Sequence, residues 1–478
     1  MQIRLPLILL LALTSCTPVT SRPAPITAPT SPETTLPSSE SSTAASNDNT
    51  PQYETSVLAA LWDAKTRTHQ ILPVEPSSGR PIPGYDPISI GVNYYYTFSP
   101  DGKTLFVVGY QSDNSGDPTM HEIDLTSWQK TSLPLDGKGW TGGLAFSPDG
   151  NSVAIGLNDS KSALLVVDVE RNRVLAQVAP GFEISRLKFT SDSSAVMAYG
   201  KVIVNRFTSN EQTSGFAKAA LFDARDLNLL WSAELEGVRE GVYPADEETA
   251  GTTALHENPE AAVYLYPGLV FAPDRDNLYI VHADEDKLTT VDFGSRSISA
   301  VNIRPKLSWL ERIFLLTTGV AHAKVANGVS RSAVISPDGG TIYTIGYRNQ
   351  ATQSTNGNWT MTQIPLGLQA INASDGTERV KFDISATGLW ITADGSSLLL
   401  HNWNEPPSTD ILNAKTLRIT GHFDNAILVP AHRMNGTTLL LSSVTIENTQ
   451  TRMSAYSAGG GLLGEWLADG YGAWLIAP

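Results

Sequence analysis

The side chains best suited to hold a metal or move a proton are the histidines, and their spacing favours neither use. His121, His282, His401, His422 and His432 stand far apart, with no His-x-x-x-His pair among them. Metal binding and general-base work both need ligands or partners in a fixed, close arrangement. The nearest approach is His282 followed by Asp284, Glu285 and Asp286, which reads as a local acidic run on a surface. A longer acidic stretch lies in 235–269, where Glu236, Glu240, Asp246, Glu247 and Glu248 precede His256, Glu257 and Glu260, with Tyr243, Tyr264 and Tyr266 among them. It could form a cation- or ligand-binding lip, but it lacks the alternating acidic ligands and tight glycine turn of a calcium loop and reads as solvated surface. There is no Gly-x-Ser-x-Gly elbow, no His-Glu-x-x-His pair and no phosphate loop. Linear motifs therefore give no catalytic residue, no metal site and no cofactor.

Cys16 is the one cysteine in 478 residues. It follows Arg4, an apolar run over 5–13, and then Leu13-Thr14-Ser15. That run is far shorter than the roughly 20 residues of a membrane-spanning helix and reads as a signal peptide, residues 1–15. Small residues directly before a lone cysteine resemble a bacterial lipobox, whose cysteine thiol carries lipid and becomes the new N-terminus. In a chain with no second cysteine to pair with, this reading accounts for Cys16, and several acyl chains anchor stably. From Cys16 to residue 52 the chain is mostly Pro, Ser, Thr and Ala, too poor in large apolar groups to offset the entropy of ordering, and is expected to be a disordered tether. Position 17 is Thr, which lacks the acidic character of an inner-membrane retention signal.

The elements that would position any site announce themselves by repetition. Phe98-Ser99-Pro100-Asp101-Gly102 returns as Phe146-Ser147-Pro148-Asp149-Gly150, Phe189-Thr190-Ser191-Asp192, Phe271-Ala272-Pro273-Asp274, Ile335-Ser336-Pro337-Asp338-Gly339 and Ile391-Thr392-Ala393-Asp394-Gly395. Proline presets φ for a turn, aspartate bonds back to the backbone, and glycine accepts positive φ. The flanks, such as Leu105-Phe106-Val107-Val108, are continuously apolar, as in strands buried on both faces. The marker aspartates fall 48, 43, 82, 64 and 56 residues apart, a period of 40–50 with insertions. A second phrase, Ile123-Asp124-Leu125, Val167-Asp168-Val169, Phe222-Asp223-Ala224 and Val291-Asp292-Phe293, marks a turn between two further strands, with weaker copies at Asn372 and Asn413. Four strands per repeat around an axis make an all-β chain, a β-propeller.

These two phrases resemble those of bacterial extracytoplasmic propellers related to WD-repeat and YVTN surface-layer proteins, over about residues 55–478. The resemblance implies the fold and leaves function open, because this scaffold carries lactonases, quinoproteins, adhesins and scaffolds alike. Trp62-Asp63 is the one Trp-Asp pair at a blade end, so the peptide docking of WD repeats does not carry over. Sites on such a scaffold form at the central funnel from residues of separate blades. The inner-strand starts place Tyr94, Tyr95, Trp140, Arg186, Arg331 and Trp390 nearest that funnel, with His256 in the acidic lip as a further binding candidate.

The ordered domain is expected over 53–478. Residues 57–64 with 69–72 copy the outer half of a blade, and 472–478 copy an inner strand. The two ends should share one blade and close the ring, leaving no free edge. Counting inner strands and outer turns gives eight blades, with seven plus an added strand as the alternative. Ser308-Trp309-Leu310-Glu311 is a capping box, and Ile313, Phe314, Leu316 and Val320 continue one apolar side, so an inserted amphipathic helix is expected there. With 33 basic against 48 acidic residues, nucleic acid is not the expected partner. The expectation is an envelope lipoprotein on the extracytoplasmic side of the cell membrane or outer membrane, non-catalytic, binding a protein or glycan. The alternative is an envelope enzyme, lactonase-like or quinoprotein-like, with its active site in the funnel.

Overall fold

The computed structural model describes residues 57–475 apart from 79, 111–116, 138, 159–161, 203–214, 245–261, 304–327, 354–358, 404–405, 433–437 and 447–449. The signal peptide, Cys16, the tether, His256 and the helix expected from Ser308 lie outside the described residues. All regular elements that are described are strands.

The described strands form five antiparallel four-stranded sheets and two larger sheets, each of which contains a further four-stranded unit. In chain order these seven units, blades 1 to 7, cover 88–134, 140–178, 183–234, 268–302, 328–382, 388–424 and 428–469. In each, the first strand pairs with the second, the second with the third and the third with the fourth. The middle strands are the continuously apolar ones. Leu105, Phe106, Val107 and Val108 are all inaccessible, as are Leu164, Leu165, Val166 and Val167. Their alternate side chains fill clusters on either side of the sheet. Val166 packs with Phe189 and Val196 of the next blade, whereas Val167 packs with Phe106 and Val108 of the preceding one. This is a β-propeller.

The repeated turn does what its residues allow. Ser147 Oγ donates to Asp149 Oδ1 at 2.6 Å, Asn151 N–H donates to the same oxygen at 3.1 Å, and Ser152 N–H donates to Ser147 Oγ at 2.9 Å. Gly150 closes the turn at φ 78°. The degenerate copy at Thr190 and Asp192 keeps these bonds although Ser193 must sit at φ 61°. Ser193 gains a bond in return, since its Oγ accepts the N–H of Asp149 in the neighbouring blade at 3.0 Å.

The ring closes as expected from its ends. Gly472–Leu475 pairs antiparallel with Val57–Asp63, which pairs with Thr68–Glu75. One face of this closing sheet packs Val57, Ala59 and Trp474 against blade 7, and the other packs Leu58, Ala60 and Leu475 against blade 1. It therefore occupies an eighth blade position. Ile88–Phe98 joins it to blade 1 by pairing with Thr68–Glu75 at its start and with Thr104–Tyr110 beyond, kinked where Gly91 and Asn93 take positive φ.

Candidate functional site

In an antiparallel blade the start of the first strand, the end of the second and the connection from the previous blade share one face. The Ser-Pro-Asp-Gly turns lie on the other. Inner strands align on the residue before the turn, through Phe98↔Leu105, Phe146↔Val153, Phe189↔Val196, Phe271↔Leu278, Ile335↔Ile342 and Ile391↔Leu398. Counting back along each strand locates the expected site residues.

Trp140 begins its inner strand and is 52 % exposed. Trp390 is 43 % exposed but stands one residue before Ile391, at the turn end of the blade 6 inner strand and not at its start. Arg186 is also exposed, its Nη1 donating to its neighbour's carbonyl, Ser185 O, at 2.8 Å. Tyr94 and Tyr95 part company. The register shift between Val92 and Tyr95 turns Tyr94 into the core with the closing sheet, 4.9 Å from His69 edge-on, while Tyr95 is exposed. Burial pushes the Tyr94 hydroxyl well up from its ordinary value. Arg331 is drawn into the wall. Its side chain is 8 % exposed, with Nη2 3.3 Å from Asp286 Oδ1 of the preceding blade and Nη1 donating to Gln369 Oε1 at 3.2 Å. Burial pulls its guanidinium below the usual arginine range, and Asp286 opposes that shift.

Tyr266, an aromatic of the expected lip, stands two residues before the inner strand of blade 4 and is exposed too. Sequence reasoning missed two aromatic residues on the loop-bearing face. Trp403 follows the second strand of blade 6 and Tyr471 links blade 7 to the closing strand; they are 63 % and 57 % exposed. Their signal was positional, an aromatic just outside a strand end on this face. Trp403 is held there by its N–H, which donates to Thr387 Oγ1 at 3.2 Å beside the inner strand that carries Trp390.

The acidic lip begins as a built structure. Glu240 Oε1 accepts from Ser185 Oγ at 2.9 Å, its N–H donates to the Tyr243 hydroxyl at 3.0 Å, and that hydroxyl donates to Gly215 O at 2.6 Å. Tyr199 is fully buried close by, and burial followed by the Glu240 carboxylate raises its hydroxyl. Neither Tyr199 Oη nor Glu240 Oε2 reaches a hydrogen-bond partner of normal geometry. Gly241–Pro244 then pairs with Ala262–Tyr266, and this ribbon adds to blade 5 in parallel through Tyr264↔Gly328.

Among the described residues two buried histidines serve the frame. His282 Nε2 meets Thr289 Oγ1 at 2.8 Å, and His401 Nε2 donates to Leu428 O of the next blade at 2.5 Å. Burial lowers His401 to about 4. His422 lies between Asp410 at 2.6 Å and Asp424 at 3.0 Å on an outer strand. Among the described residues no group of three His, Cys, Asp or Glu side chains is placed to hold a metal ion.

No protein-family model matches this chain, and no curated protein does either. Among solved structures, dihydro-heme d1 dehydrogenase NirN in complex with DHE is similar with a TM-score of 0.56 at 12 % identity, over 90 % of this chain and 77 % of that one. BamB from Moraxella catarrhalis matches with a TM-score of 0.43 at 10 % identity, over 79 % of this chain and 88 % of that one. The Swd1 β-propeller domain of Myceliophteria thermophila gives 0.39 at 11 % identity, over 79 % and 97 %. At such identities likeness speaks for fold alone, and what the face binds has to be argued from its own residues.

Proposed function

We propose that this chain is a lipid-anchored, extracytoplasmic binding module that holds a protein or glycan partner on the loop-bearing face of its propeller, without chemistry of its own. The observation that carries this reading is the set of exposed aromatics toward that face, Tyr95, Trp140, Tyr266, Trp403 and Tyr471. Rigid aromatic rings with a polar edge supply large contact area at little entropic cost, which is why they dominate recognition surfaces. Arg186 adds a cation among them for hydrogen bonding to an acidic or hydroxylated partner. The lipid on Cys16 and the tether over 16–52 support the same reading, since they would hold the ring clear of a membrane and free to meet partners. The acidic balance of the chain makes nucleic acid an unsuitable partner.

The test is co-sedimentation of the purified full chain with envelope polysaccharide and, separately, with envelope protein. Saturable binding to one of them, competed by its soluble fragments, is the expected result. Turnover of a lactone, a sugar or a quinone-linked substrate by the same preparation would replace this reading with an envelope enzyme acting in the funnel.

A further inference from the structure

The turn-bearing face holds a feature of its own, independent of the aromatic face. Between blades 6 and 7 the interface core is small, with Leu399, Ile411, Ala426, Leu428 and Leu440 at its centre. Beside it a cavity of about 250 Å³ opens. Its floor is Leu399, Ile411 and Leu440, all buried, and its mouth carries Asp394, Ser396 and Thr438. Among the described residues that line it none is basic, and Asp394 is the one charged group.

Asp394 belongs to the blade 6 copy of the repeated turn, and among the described residues its hydrogen bonds of normal geometry fall on one carboxylate oxygen. Oδ1 accepts from Thr392 Oγ1 at 2.6 Å and from Ser396 N–H at 3.0 Å. Among the described residues no hydrogen bond falls on Oδ2, which leaves one anionic oxygen free beside an apolar floor and hydroxyl groups. The hydrogen bond from Thr392 holds the carboxyl below its usual range, so it is ionised at neutral pH.

We propose that this cleft receives a primary alkylammonium group, as carried by the side chain of a lysine on a partner. The apolar floor suits a chain of methylenes, and such side chains cover apolar surface while the head stays polar. A compact ammonium with three rotatable donors fits one free carboxylate oxygen and scattered hydroxyls; a guanidinium, with its fixed fork, asks for two coplanar acceptors. The volume lies below the few hundred Å³ that enclose a drug-sized ligand. A single extended side chain is the occupant of matching size.

The probe is n-pentylammonium, titrated calorimetrically into the purified full chain, with n-pentanol as the neutral comparison. Wild type should bind pentylammonium at least tenfold more tightly than pentanol. Asp394→Asn keeps an oxygen to accept the two turn bonds and should lose at least tenfold in affinity. Asp101→Asn changes the same turn in blade 1, which contributes no lining residue to the cleft, and should leave affinity unaltered. Equal binding of pentylammonium and pentanol, no binding of pentylammonium at millimolar concentration, unchanged affinity in Asp394→Asn, or an equal loss in Asp101→Asn would each overturn the proposal. The comparison of the two probes needs only wild type, so the proposal stays open to refutation if a variant fails to fold. Because Asp394 belongs to the turn-bearing face, the loss read in Asp394→Asn is separate from partner binding on the aromatic face.

Discussion

At the scale of single residues, two histidines of one blade respond to pH in opposite senses. His422, exposed and bonded first to Asp410 and then to Asp424, has its pKa raised from the ordinary 6.5. A group raised by folding stabilises fully below the unfolded value, and the gain fades as pH rises through the folded value. Replacing His422 with Ala should therefore lower the melting temperature at pH 5.5, and the gap to wild type should narrow by pH 8.5. His401, buried and lowered to about 4, works the other way, because unfolding lets it take up a proton as pH falls below 6.5. Melting curves of wild type and His422→Ala across that range separate the two; a gap that stayed constant with pH would contradict the assignment. The same scale shows where sequence reading ended. Arg186 and Arg331 both stand on inner strands, yet one is exposed and the other buried. The difference comes from Asp286, 45 residues away, and no local pattern announces such a partner.

At the scale of elements, the repeat was legible because each turn is determined by its own residues. Ser99, Asp101 and Gly102 form in the structure the bonds and the positive φ that their types require, 2.6 Å for Ser99 Oγ to Asp101 Oδ1 and φ 67° at Gly102. Closure by the two chain ends was legible for the complementary reason that each end carried part of a blade. Tyr94 and Tyr95 were less so: a register shift of one residue exchanges the two faces of a strand, and the shift after Val92 leaves no mark in composition. The cleft between blades 6 and 7 depends on how the side chains of two sheets fail to meet, which a sequence does not display. Closure itself is open to measurement. Trp474 is 5 % exposed, and its indole N–H donates to Ser442 O of blade 7 at 2.8 Å. Trp474→Ala should cost about 3–5 kcal/mol, as for other buried tryptophans, read as a lowered midpoint in urea. A change below about 1 kcal/mol would mean that the closing strand does not secure the ring.

At the scale of the whole molecule, the proposed anchoring and the proposed recognition would be separate devices. Cys16→Ser should leave the melting temperature of the propeller unchanged, since residue 16 precedes the first propeller strand, Val57–Asp63, while moving the chain from the detergent phase to the aqueous phase on phase partitioning. A mutant that stays with the detergent would refute the lipid reading. Recognition is assigned to the loop-bearing face, where Trp140, Trp403 and Tyr471 are the most exposed rings. Truncating one such ring at a binding surface typically costs 1–2 kcal/mol or more, and three together reach well past tenfold in affinity. The most direct measurement is the binding isotherm of the full chain for an envelope fraction, wild type against the triple variant Trp140→Ala, Trp403→Ala, Tyr471→Ala. The variant should keep its melting temperature, since all three side chains are exposed, and lose at least tenfold in affinity. Unaltered affinity in a folded triple variant would contradict recognition by this face.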